Sequence, residues 1–233
     1  MVELLVSMAI TSMIMLALLA LVGQSSTSYT QTQRAVNTLS QARAFMQFFD
    51  REISTRLPNT PLIYESPSSG GPGSSAKIAF VRAIPAEEQT AATPGDLNTS
   101  AYYVAFTADG NSITSPKLFR KTLNPNDTQA LIDTAGTPPF PTVNPASDEP
   151  ILNNILSFEA NPKKRNPTSG KLEDWTPSSA DAIAAIVLIV RFIDDSSAQR
   201  FRTESTWNQL ATAPRDSELQ LIRNFTRTIA IAK

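Results

Sequence analysis

Residues 1–22, MVELLVSMAITSMIMLALLALV, form an apolar run at the start of this 233-residue chain. The run contains a single charge, Glu3. The 19 residues from Leu4 to Val22 have no charge, and their polar side chains are those of Ser7, Thr11 and Ser12. As a helix, this stretch is roughly 28 Å long, close to the hydrocarbon thickness of a bilayer. A carboxylate at the head of such a helix is costly in lipid unless a positive group compensates it. The run therefore predicts a membrane helix in which Glu3 has a cationic partner.

Three other interpretations of this run stay open: a cleaved secretory signal, a plain signal anchor with Glu3 incidental, and the core helix of a soluble protein. A cleaved signal is disfavoured because no Lys or Arg precedes the run and Ala20-Leu21-Val22 is a poor cleavage site. A core helix is disfavoured because the rest of the chain is not hydrophobic enough to surround it.

The residues VELLVSMAI at 2–10 resemble the N-terminus of type IV pilin-like proteins, which include the type IV pilins and the pseudopilins of type II secretion. The signature of that family is Gly followed by Phe-Thr-Leu-Val/Ile-Glu-Leu-Leu-Val, so Glu3 falls on its hallmark glutamate. The Gly, Phe and Thr are absent, and Met1 stands where the family has Leu. We expect Met1 to be a misassigned start, with the leader and cleavage site upstream of it. Genomic DNA without an in-frame Gly-Phe-Thr there would contradict this expectation.

The resemblance implies a structural subunit that a prepilin peptidase processes and that assembles with other pilin or pseudopilin subunits. It places the subunit in the bacterial inner membrane as a single-pass protein with an extracytoplasmic, periplasmic head, and in a fibre after assembly. It also implies that Glu3 pairs with the free N-terminal amine of a neighbouring subunit. Residues 43–52, RAFMQFFDRE, are similar to the larger minor pseudopilins. The closing residues 223–233, RNFTRTIAIAK, are similar to tails of the prepilin-type family called Verru_Chthon cassette protein C.

A second helical pattern follows the apolar run. Apolar residues recur at intervals of three or four and define one helix face, which we expect to pack on a globular head: Val36, Leu39, Ala42, Met46, Phe49, Ile53 and Leu57. Glu52 and Arg56 stand four residues apart in the favourable order for a helical ion pair. Pro58 is expected to end the helix, because proline disfavours helical geometry in the residue before it.

Beyond Pro58 the pattern changes to short strands and loops. Strands are expected at 77–84, 101–107, 117–123, 182–193 and 225–231, with 151–160 either strand or short helix. A turn at 194–197 is expected to lead into a hairpin partner at 198–203, and 215–224 is expected to form a short helix. We therefore predict an α+β fold in which a long N-terminal helix packs on an antiparallel β-sheet head. The expected divisions are a transmembrane and assembly helix at 1–23, its amphipathic continuation at 24–57, and the head at 58–233.

The composition argues against most kinds of chemistry. The chain has neither Cys nor His, which excludes disulfides, Ser-His-Asp and Cys-His catalysis and His-based metal sites. Its net charge of −1 gives no reason to expect a nucleic-acid partner. The acidic pairs Asp194/Asp195 and Glu173/Asp174 could contribute oxygens to a calcium ion, but adjacent acids at a turn are usually just solvated. We therefore expect no catalytic residue, cofactor or metal.

The leading functional hypothesis is a minor pilin or pseudopilin-like structural subunit of a type IV pilus or type II secretion fibre, with membrane lipid around its first helix. The sequence does not specify secretion, pilus or DNA uptake. The alternative is a membrane-tethered extracytoplasmic binding or adhesion module that does not polymerise. Its ligand would meet the loops at 66–75 and 135–150. A tethered enzyme has little support without His or Cys.

Overall fold

The computed structural model describes residues 2–67, 75–84, 96–109, 113–176 and 182–231. The chain begins with helix α1, Val2–Ser54. It divides into two compact units, the first ending at Gln41 and the second beginning at Ala42, inside α1. The predicted divisions at 23 and 57 follow the expected membrane boundary and helix end instead, and they stay predictions.

Within the apolar run of α1, the few hydroxyl groups hydrogen-bond to the backbone of the helix. The hydroxyls of Ser7, Thr11 and Ser12 each donate to the carbonyl oxygen four residues earlier, at distances of 2.7 to 2.9 Å. Glu3 lies in the first turn, where a negative charge interacts favourably with the helix dipole. Among the described residues, α1 is the one helix that is long and apolar enough to cross a membrane, by length and composition alone.

The helix ends at Ser54, three residues before the predicted end at Leu57. The chain turns here because its backbone pairs with a neighbouring strand. Leu57 N donates to Val81 O at 3.1 Å, and Ala83 N donates to Thr55 O at 3.2 Å. These sheet-like bonds replace the helical ones that Pro58 was expected to interrupt.

Nine antiparallel strands follow in the described residues, and they form two sheets rather than the single sheet that was predicted. The strands are β1 Leu62–Glu65, β2 Lys77–Ala83, β3 Leu97–Asp109, β4 Ile113–Leu123, β5 Glu149–Asn153, β6 Ile155–Arg165, β7 Leu172–Asp174, β8 Ile183–Phe192 and β9 Arg223–Ala230. The first sheet has the order β1-β2-β3-β4-β5 and the second β7-β6-β8-β9. The chain passes between the sheets at Asn154, which has a φ of 58°, a conformation that Asn tolerates better than most residues.

Four short helices complete the described part of the head: α2 Pro125–Ile132, α3 Asp195–Ala198, α4 Glu204–Thr212 and α5 Asp216–Leu219. The predicted hairpin partner at 198–203 is wrong. The Asp194 side chain accepts from the backbone N–H groups of Ser196 and Ser197 and starts α3, so the chain leaves the sheet. Strand β8 instead pairs with β6 and β9. The predicted helix at 215–224 is reduced to α5, because its last two residues belong to β9.

The main core lies between the last turns of α1 and both sheets. Phe49 is fully buried at its centre, and its ring meets those of Phe80, Tyr102 and Phe158 edge-on at centroid distances of 5.0 to 6.5 Å. Ala42, Phe45, Met46 and Ile53 supply the rest of the helical face. A second cluster, built on Trp207, joins α3 and α4 to residues next to strand β8 and within strand β6. The fold class is therefore as predicted: α+β, with a long N-terminal helix packed on antiparallel sheets.

Candidate functional site

The apolar half of α1 is the first candidate site. The large apolar side chains whose exposure the structure describes are more than half exposed here, from Val2 at 74% to Val6 at 51%. Glu3 is exposed as well. Over more than five turns this helix presents apolar surface of the kind that lipid or other apolar helices cover, and by length and composition it could cross a membrane. The structure thus leaves the predicted assembly contact, Glu3, accessible at the start of an apolar helix.

The second candidate is a buried charge cluster on the other end of α1. Glu52 projects from the helix into the core, and its side chain is 3% exposed. Its Oε2 accepts from the hydroxyl of Tyr102 on β3, and its Oε1 accepts from Nη2 of Arg120 on β4. Nη2 of Arg82 on β2 lies 3.4 Å from the same Oε1. One carboxylate therefore joins the helix to three consecutive strands.

The outer members of this cluster complete its charge balance. Arg82 Nε donates to Ser100 Oγ at 3.1 Å. Arg120 Nη1 donates to Glu149 Oε2 at 3.2 Å, and its guanidinium lies 5.3 Å from the centroid of the Phe48 ring. The two arginines are thus matched by two carboxylates, which compensates the cost of placing charges in the protein interior.

Two members of the cluster, Tyr102 and Arg120, have raised pKa values. Burial raises the pKa of Tyr102 well above its usual value, and the negative charge of Glu52 and its hydrogen bond raise it further. Burial lowers the pKa of Arg120, but the charges of Glu52, Tyr102 and Glu149 outweigh it, and the net change is upward. Tyr102 is therefore a permanent donor and Arg120 a permanent cation. This arrangement suits a structural connection better than acid–base catalysis, for which a pKa near the working pH is best.

The sequence did not predict this cluster. It suggested Arg56 as the partner of Glu52, but α1 ends before Arg56, whose Nη2 donates to the carbonyl of Thr60 instead. A second ion pair, Asp50 with Arg227 of β9, also joins α1 to the head, with both side chains about a third exposed or more.

The predicted head-packing face divides into a buried part and an exposed part. Met46, Phe49 and Ile53 lie in the main core, together with Phe45, which the periodic pattern did not include. Val36 and Leu39 lie in the first compact unit, are exposed and do not belong to that core. Leu57 follows the helix and is partly exposed, because the chain has already turned toward β2.

The acidic pairs Asp194/Asp195 and Glu173/Asp174, the candidate calcium ligands, form hydrogen bonds or ion pairs with other protein groups. Asp194 starts α3, and Asp195 Oδ1 accepts from Nδ2 of Asn154 at 2.7 Å. Asp174 pairs with Lys163, and Glu173 accepts from Asn166 at 2.6 Å. In the part of the chain that the structure describes, no group of three or more acidic side chains is placed to hold a metal ion.

Two open cavities lie beside α4. One of about 310 Å³ lies between α4 and α5 and includes Arg200, Gln209 and Arg215 in its wall. The other, of about 240 Å³, includes Lys117, Asn154 and Trp207. The ligand loop expected at 66–75 lies mostly outside the described residues, since 68–74 are not among them.

Comparison with known proteins returns structural likeness only. No family model matches the chain, and no curated protein matches it. Among solved structures, the chain is similar to a type IV-like pilin from Thermus thermophilus, with a TM-score of 0.44 and 13% identity over 83% of this chain and 95% of that one. It is also similar to the GspK-GspI-GspJ complex of the type 2 secretion system from enterotoxigenic Escherichia coli. There the TM-score is 0.37 and the identity 12%, over 84% of this chain and 99% of that one.

Proposed function

We propose that this protein is a minor pilin or pseudopilin-like structural subunit that assembles through its N-terminal helix. The observation that carries this proposal is Glu3, an exposed carboxylate in the first turn of a helix that continues for 30 residues, from Leu4 to Gln33, without another charge. A membrane anchor needs no such acid, whereas a helix that pairs with a cation on a neighbouring subunit does.

In this mechanism α1 first holds the subunit in the bacterial inner membrane, with the head on the extracytoplasmic side. A prepilin peptidase removes a leader and frees an N-terminal amine. The Glu3 carboxylate of one subunit then pairs with that amine on the next. Because both charges lie in lipid or between apolar helices, a mismatched position leaves each uncompensated, and pairing sets the register between subunits.

The head needs a firm connection to the helix for such an assembly to have a defined surface. The Glu52 cluster and the Phe49 core supply that connection within the second compact unit. The upward pKa shifts of Tyr102 and Arg120 suit a fixed connection, and they support a structural role for this cluster.

Mass spectrometry of the native N-terminus tests the proposal. We expect a chain from which a short leader has been removed and whose first residue is N-methylated. A native chain that begins at an unprocessed methionine would contradict this processing and favour the alternative, a tethered binding module that does not polymerise. The two mature forms differ in mass, so the measurement separates them directly.

A further inference from the structure

Three of the four outer strands in the two described sheets carry features that discourage pairing with another chain. Strand β1 has four residues. Strand β7 has three, two of them the acids Glu173 and Asp174. Strand β5 contains Pro150 and has an irregular register with β4. Short length, charge, proline and bulges are the usual protections of a sheet edge.

Apart from the charges of Arg223 and Arg227, strand β9 has none of these protections. It is eight residues long, RNFTRTIA, and contains neither proline nor lysine. Its register with β8 runs through eight pairs without a shift, from Ala185 opposite Ala230 to Phe192 opposite Arg223. Within the described residues, no strand pairs with its other side. A long, regular, open edge of this kind is a template for a further strand.

The register identifies the backbone groups that face outward. Ile231 N donates to Ala184 O at 3.0 Å, so these two residues are a hydrogen-bonded pair. Such pairs alternate with non-bonded ones in an antiparallel ladder. The N–H and C=O groups of the even-numbered residues of β9 therefore point away from β8. These residues are Asn224, Thr226, Thr228 and Ala230, and all four are exposed.

The charge beside this edge is positive. Arg227 already pairs with Asp50. Arg223 is the first residue of β9 and pairs with Phe192, and Arg191 lies on the neighbouring strand β8, opposite Asn224. The two arginines therefore occupy neighbouring rows of the ladder. Neither forms an ion pair with any described residue. Successive positions of a strand face opposite sides of the sheet, so the two guanidinium groups flank the edge from both sides.

We propose that the β9 edge binds an extended acidic segment of another subunit, which adds a fifth strand to the second sheet. The segment runs antiparallel to β9 and hydrogen-bonds to its even-numbered residues. Two consecutive carboxylates at the carboxyl end of the segment face Arg223 and Arg191. The inference rests on the proposed function only for the source of the segment, since the edge and its charge belong to the head itself.

The test uses the full chain in detergent micelles and the fluorescent peptide acetyl-Thr-Val-Thr-Val-Thr-Val-Glu-Glu-amide, with binding measured by anisotropy. Thr228→Pro removes one outward N–H and leaves the bonds to β8 in place, and edge strands tolerate proline. We expect this variant to bind about tenfold more weakly than wild type. Thr228→Val keeps the N–H and should bind like wild type.

Charge variants provide a second readout that does not depend on proline. Arg223→Glu should weaken binding, whereas Arg202→Glu, which makes the same change in net charge elsewhere, should not. A peptide ending in Lys-Lys should not bind to the wild-type chain. Equal binding by Thr228→Pro and wild type, or by the Glu-Glu and Lys-Lys peptides, would overturn the proposal.

Sedimentation of the same samples identifies the competing occupant. If the chain without peptide dimerises and Thr228→Pro abolishes the dimer, the edge pairs with a second copy and the acidic segment is the wrong occupant. Glu3→Ala should bind the peptide like wild type, because the groups proposed to bind it all belong to β8 and β9. A failure of peptide binding would therefore not contradict the proposed N-terminal processing, and an unprocessed N-terminus would not contradict peptide binding at β9.

Discussion

Replacing Glu52 by alanine should destabilise the head more than any other single charge deletion on α1. The substitution leaves Arg82, 2% exposed, and Arg120, 13% exposed, without their shared carboxylate, and it removes the acceptor of the Tyr102 hydroxyl. Removing one partner of a buried ion pair typically costs about 3–5 kcal/mol. Because Arg120 keeps Glu149 as a partner, we expect a loss near the lower end, about 3 kcal/mol.

The matched control is Asp50→Ala, two residues earlier on the same helix. Its ion pair with Arg227 is partly exposed, and exposed pairs contribute about 0–1 kcal/mol. Urea unfolding of the full chain in micelles, followed by the fluorescence of the buried Trp207 in the head, measures both variants. A loss for Glu52→Ala no larger than that for Asp50→Ala would refute the view that the cluster connects the helix to the sheets.

Three further predictions concern stability. Tyr102 has a raised pKa in the folded chain, so its contribution to stability is full below about pH 10 and is lost as the pH rises above that value. In urea unfolding at alkaline pH, the free energy of unfolding of Tyr102→Phe should therefore fall less steeply with pH than that of wild type, by up to about 1.4 kcal/mol per pH unit. An unchanged slope would contradict this prediction. Phe49→Ala should cost about 3–5 kcal/mol in the same unfolding assay, because it empties the centre of the main core, and a cost below that of Asp50→Ala would be inconsistent with its burial. Asp194→Ala should cost about 1 kcal/mol through loss of the acceptor that starts α3, whereas Asp194→Asn, which keeps an oxygen there, should cost less; equal losses would argue against capping.

The sequence pattern predicted those helices and strands that are determined by residues close together in the chain. The segment 77–84 predicted β2, and 182–193 predicted β8, because each is a compact run of strand-forming residues bounded by turns. The helical face was predicted from Ala42 to Ile53, where apolar spacing and burial coincide. Farther toward the N-terminus, Val36 and Leu39 have the same spacing but are exposed. Their exposure could not be predicted, because apolar periodicity identifies a helix face but not what packs against it.

The buried charge cluster around Glu52 could not be predicted from local sequence patterns. Glu52 meets side chains 30 to 68 residues away, which depend on how β2, β3 and β4 line up beside the helix. The spacing of Glu52 and Arg56 predicted an ion pair within the helix, but α1 ends at Ser54, before Arg56, so that helical pair does not form. The division into two sheets was hidden for a similar reason, because alternating side chains give a strand two faces but do not select its neighbours.

Co-isolation of the full chain with the pilin or pseudopilin subunits proposed as its partners tests most directly whether Glu3 is an assembly contact. We expect Glu3→Ala to leave membrane insertion and the unfolding curve of the head unchanged but to reduce the assembled fraction strongly, while Ser7→Ala, one turn along the same helix, assembles normally. If Glu3→Ala enters the assembly as well as wild type does, the carboxylate pairs with no neighbour and the proposed mechanism is wrong.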